Sequence, residues 1–268
     1  VARQLITVDE SVANEIRLIV AAGSDPADLR WDGLTSNVWD TTLTTNWFNN
    51  GTLAPDAFFA NDLVTFDDTP GVATQVVIAA GGVVPGQVSV ATTNNEFTLA
   101  GPGGIGGAGG LRKTGPAGLI LAATNSFTGE LEVQEGWVRA GSASAFGQST
   151  SVVVAAGAQV QLAGFTESGL AGRFRVAGAG PDGAGAITST NGPMVGAVSG
   201  VKFLTLSGDA ALGGYSEGTN DAGRFDVGTG GGWIEGGGYT LTKLGPAPAA
   251  FRGPVSNLAA LVVSNGLV

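Results

Sequence analysis

The sequence predicts an all-β protein whose chain winds as a β-solenoid, and three observations point there. The composition is rich in turn and strand formers and poor in helix formers, with 46 Gly, 43% hydrophobic residues and only 13% charged residues. From about residue 60 onward, short β-type runs recur about every ten residues between Gly, Asn, Asp or Pro, as in a sandwich, barrel or solenoid. Two-residue Asn-Gly hairpin signals are sparse, which favours the solenoid among these three.

The same composition excludes several functions. The hydrophobic content is too high for a chain that cannot collapse, so a packed core is expected. Twelve Lys plus Arg against 22 Asp plus Glu give a net charge of −10, the wrong sign for a phosphate-binding surface, and nucleic acid is set aside as a partner. There is no Cys and no His. Disulfides, thiolate metal sites, a Ser/His/Asp triad and an ordinary zinc site therefore cannot be built. No apolar run approaches the roughly 18 residues of a membrane helix. Val1-Ala2-Arg3 lacks a charged-then-apolar leader, which reads as a processed chain and predicts export.

Taken in order, residues 1–30 form an N-terminal strand or cap segment and a possible element of assembly. Asp9 to Val20 has two readings. One is a capping helix with Asp9 or Ser11 as N-cap and Val12, Ile16 and Ile19 on one face. The other is a pair of strands, Gln4 to Val8 and Glu15 to Val20. Residues 31–268 are expected to form one solenoid. Its strands are read at Leu63 to Phe66, Gln75 to Ala79, Gln87 to Val90, Glu96 to Leu99, Leu119 to Leu121 and Glu130 to Val133. The glycine run from Gly101 to Gly110 lacks the Lys-Ser/Thr of a phosphate loop and reads as a tight corner.

An internal repeat supports the solenoid. Leu111-Arg112-Lys113-Thr114-Gly115-Pro116-Ala117 recurs as Leu241-Thr242-Lys243-Leu244-Gly245-Pro246-Ala247, and in the same register Leu131 to Val138 matches Leu261 to Val268. Repeat motifs thus lie near 110–140 and 240–268.

The segment Gly110 to Gly115, then Leu119-Ile120-Leu121, Asn125-Ser126-Phe127-Thr128-Gly129 and Gly136-Trp137-Val138, resembles the autotransporter-associated, or passenger-associated, β-strand repeat of bacterial surface proteins. Trp31-Asp32-Gly33, Asn46-Trp47 and Asp62 to Asp68 are similar to the segment that often precedes such repeats. The second copy departs from the pattern, since Pro248-Ala249-Ala250-Phe251 replaces the Leu-x-Leu strand and no Asn-x-Phe-x-Gly follows. The resemblance implies a right-handed parallel β-helix that is exported to the cell surface or beyond, and a structural or adhesive rather than enzymatic role.

A stack of coils leaves an unpaired strand row at each end. Between the two copies Glu130, Glu132 and Glu135 become Ala260, Val262 and Asn265, and from Gly253 to Val268 there is no charge. An uncharged apolar edge calls for a cover. The expected partner is a second copy of the chain, added head to tail through the N-terminal residues Leu5, Ile6, Val8, Ile16, Leu18 and Val20 and the C-terminal residues Leu261, Val262, Val263, Leu267 and Val268.

Other candidates carry bland alternatives. Trp31, Trp39 and Trp47 recur at even intervals, and Trp39 and Trp47 could stack on a glycan or pack over the first coil. Asp62, Asp67 and Asp68 could ligate calcium through oxygen or act as acid and base, although Asp67 and Asp68 on a strand point to opposite faces. No other cofactor is implied. Lys113 and Lys243, at matching positions, suggest a shared place at a coil corner.

Overall fold

The computed structural model describes residues 5–12, 14–21, 25–69, 71–163, 173–190, 199–215, 225–266 and 268. Among them the protein is a parallel β-solenoid preceded by a hairpin, with one short 3-10 turn at Thr229–Gly231. The hairpin pairs β1 (Leu5–Asp9) with β2 (Arg17–Ala21) antiparallel in a sheet of its own. Strand pairing replaces the helix reading of Asp9 to Val20; Asp9 closes the start of the turn instead, accepting the Ser11 amide at 2.9 Å.

Two long ladders form the solenoid walls. The first stacks β3 (Asp28–Trp31), β7 (Leu63–Asp67), β9 (Gln87–Ala91), β11 (Gly110–Thr114), β13 (Leu131–Val133), β15 (Ser151–Val154), β17 (Arg173–Gly178), the start of β20 (Phe203–Tyr215), β22 (Trp233–Glu235) and β25 (Val255–Ser256), all parallel. The second stacks β4 (Val38–Trp39), β8 (Gln75–Ile78), β10 (Phe97–Ala100), β12 (Gly118–Leu121), β14 (Gly136–Ala140), β16 (Ala158–Gln161), β18 (Ile187–Thr190), the end of β20, β23 (Thr240–Leu244) and β26 (Ala260–Val263). A third wall is a regular ladder only late in the chain, through β19 (Ser199–Val201), β21 (Phe225–Val227) and β24 (Ala249–Phe251). After a longer first coil, from Leu29 to Val64, each coil takes about 20 to 30 residues, as from Leu111 to Leu131 or from Leu204 to Ile234.

Side chains alternate in and out along each strand, so the inward ones stack into columns. In β9, Val88 and Val90 are buried and their neighbours are not. In the first ladder the column from Val64 through Val88, Leu111 and Leu131 to Leu204 and Ile234 is at most 1% exposed throughout. This repeated column is the core, and each coil buries its inner face only because the next one lies on it.

Earlier in the chain the third wall is irregular, with one bridge from Val83 to Ile105. The glycine run sits there because neighbouring backbones nearly touch. A Cβ on Gly103 would fall 1.8 Å from the Ala79 carbonyl oxygen, and one on Gly104 would fall 1.9 Å from that of Thr124. Asn125 ties the same wall together, accepting the Ile105 amide at 2.9 Å from one neighbouring coil and donating to the Ala145 carbonyl at 2.6 Å on the other.

The N-terminal end is closed in a way the strand spacing did not announce. β5 (Trp47–Asn49) pairs antiparallel with β3, and β6 (Ala54–Asp56) pairs antiparallel with β5. β6 carries Pro55, which has no amide to offer a further strand. Beneath them Trp31, Trp39, Trp47, Phe58 and Phe66 form a plug of rings with centroids 4.9 to 6.2 Å apart.

The sequence repeat is not the coil repeat. Leu111 to Lys113 lies on β11 in the first ladder, whereas Leu241 to Lys243 lies on β23 in the second, so the same motif has moved one wall around the solenoid.

Candidate functional site

The C-terminal coil is where an interior pattern meets solvent. Leu261 stacks on Leu241 and Val263 on Lys243, and Val255 continues the column that ends on Ile234. These are inward positions, yet Val255, Leu261 and Val263 are 46%, 42% and 45% exposed because no coil lies on them. Leu241, Ile234, Phe251 and Leu258 line an apolar depression among them. Val262 and Val268, from the same expected patch, are also exposed, and Leu267 lies outside the described residues.

Of the N-terminal candidates, Val8, Ile16 and Leu18 are exposed on the hairpin, and so is Ile19. Leu5, Ile6 and Val20 belong to the paired strands, with side chains outside the described set. Among the described residues the structure thus displays apolar side chains on the hairpin and on the last coil, and β1 and β2 pair with each other in a sheet that does not include β26.

Trp39 and Trp47 correct the glycan expectation. They are 0% and 1% exposed inside the aromatic plug, so neither ring face can receive a sugar. Their even spacing reflects successive strands that each send one ring inward.

The three aspartates serve the backbone. Asp62, fully buried, accepts the Ala27 and Phe59 amides at 2.9 and 2.8 Å. Asp67 accepts the amide and hydroxyl of Thr69. Asp68 receives the amides of Asn95, Thr93 and Asn94, and these hydrogen bonds hold its carboxyl below the usual range. No cluster of three or more metal-ligating side chains occurs among the described residues.

Lys113 and Lys243 are buried inside the core and do the same thing on different walls. The Lys113 ammonium donates to the carbonyls of Thr114, Gly115 and Glu135, and Lys243 to those of Leu244, Gly245 and Asn265. Each lysine closes the turn after its strand and grips the next coil. Burial pushes Lys113 down to about 8, against the opposing pull of Glu135 and Asp68, and burial likewise lowers Lys243.

No helix among the described residues is long and apolar enough to cross a membrane. No protein-family model matches the chain, and no solved structure matches it. Over 137 residues, 51% of the chain, it is 38% identical to the protein described as "Adhesin BmaC autotransporter" from Brucella suis biovar 1 (strain 1330). The chain spans 4% of that protein's length. The β-solenoid and this similarity together bear out the resemblance read from Gly110 to Val138, that of an autotransporter passenger-associated β-strand repeat protein.

Proposed function

We propose that this chain is a non-enzymatic length of surface or secreted passenger, adhesin-like in its coarse role, and that it associates with further copies of itself end to end. The similarity to an autotransporter adhesin supports the coarse role. The finer reading rests on one observation: the inward positions Val255, Leu261 and Val263 lie uncovered at the end of an otherwise dry core.

The two ends differ, and this sets the geometry of association. The N-terminal coil is plugged by rings and edged by the Pro55 strand, so it offers no matching coil face. The hairpin carries the complementary apolar side chains Val8, Ile16 and Leu18, and a lone two-stranded hairpin is marginal in water. Strand addition of the hairpin of one copy along β26 of another covers both surfaces and leaves the rigid walls free.

Electron microscopy and light scattering of the purified chain at neutral pH and moderate salt test this reading. Filaments, or a mass that rises with concentration and reverts to one chain in Leu261→Lys/Val263→Lys, are the expected result. A strictly monomeric chain at high concentration, with both ends intact, overturns it.

A further inference from the structure

One patch on the outer surface of the first ladder combines aromatic rings with cations. The register places Arg173, Phe203 and Trp233 in one column across three successive coils. The Phe203 and Trp233 rings lie 5.5 Å apart at 50°, each only partly buried. The Arg173 guanidinium lies 5.9 Å from one centroid and 5.7 Å from the other, and the Lys202 ammonium is 5.2 Å from Phe203. Arg175, two residues along the same strand, points out on the same side.

The charges of this patch are not spent on other described residues. Among the described residues, the side chains of Arg173, Arg175 and Lys202 make no ion pair or hydrogen bond, in contrast to Arg112 and Arg252, which meet Glu132 and Asp226. Glu235, the carboxylate of the adjacent column, is separated from Arg175 by Thr205 and is held by the Ser256 hydroxyl and the Gly237 amide. Three cations without an ionic partner among the described residues, on one wall of a chain with a net charge of −10, are a local reversal of sign.

We propose that this patch binds an acidic polysaccharide. The rings hold the Arg173 fork in place, which lowers the ordering cost of gripping a carboxylate. Lys202 and Arg175 extend the positive surface, and the open parts of the Phe203 and Trp233 rings take the apolar faces of sugar rings. Coils rise by about 4.8 Å, close to the length of one pyranose, so a glycan lying along the wall meets one position per coil. A densely charged nucleic acid is disfavoured by the acidic remainder of the chain, whereas a sparsely charged uronate polymer is not. The site lies on the outer face of the wall, one coil before the last, and uses none of the inward positions Val255, Leu261 and Val263 on which end-to-end association rests.

Titration of the full chain with polygalacturonate, neutral dextran and single-stranded poly(dT) tests it. The expected result is salt-sensitive binding of polygalacturonate, no binding of dextran, and a loss of about tenfold or more in Arg175→Gln/Lys202→Gln, with circular dichroism showing that the variant keeps its β structure. Trp233→Ala weakens binding as well, with circular dichroism showing that the solenoid persists. No binding of polygalacturonate, equal binding of dextran, tighter binding of poly(dT), or full binding by Arg175→Gln/Lys202→Gln overturns the proposal.

Discussion

Single polar residues inside the stack do the work of aligning it. Asn125 satisfies a carbonyl and an amide from the coils on either side of its own, so Asn125→Ala leaves both partners buried without a bond. A loss of about 2 to 4 kcal/mol in urea unfolding is expected. Lys113 adds a pH dependence. The unfolded chain keeps this proton up to about 10.5 while the folded chain releases it near 8. The unfolded state therefore binds more protons across that interval, and stability rises as pH climbs from 8 towards 10.5. Unfolding curves at pH 7.5 and 10 should show this gain in the parent and a smaller one in Lys113→Met. That both lysines sit at corners was legible from their matching motifs. The depth of the aromatic rings was not, because the same residue pattern serves a binding face and a plug.

At the scale of elements, the strands read from residue pattern agree closely with those found, as at Leu63–Asp67, Gln75–Ile78 and Gln87–Ala91. Alternation of apolar and polar residues is local information, and turn residues mark where it stops. The antiparallel β5 and β6 escaped because Trp47–Asn49 and Ala54–Asp56 are too short to show a period. The glycine run carries its own prediction. Gly104→Ala must push its coil away from Thr124, and a destabilisation of about 1 to 3 kcal/mol is expected by thermal or urea unfolding.

The described coils form a stack in which each depends on its neighbours, with a plug of rings on the first and Val255, Leu261 and Val263 uncovered on the last. Protection of backbone amides from hydrogen exchange should therefore fall from the middle coils around β11 to β16 towards β25 and β26. Association through the last coil should raise protection there in the parent and not in Leu261→Lys/Val263→Lys. A uniform profile across all coils would show that the open face costs the last coil nothing.

The residues by themselves determined the fold class, the strand pattern, the absence of thiol and imidazole chemistry and the charge-free C-terminal strand, since composition and short-range periodicity carry all four. Only the tertiary structure decided which wall each motif occupies, that Trp39 and Trp47 are buried, and that Arg173, Phe203 and Trp233 share a column. Those outcomes depend on coil length. One coil closes in about 20 residues and another in about 30, so residues far apart in sequence come into register only when the loops between them have been folded away.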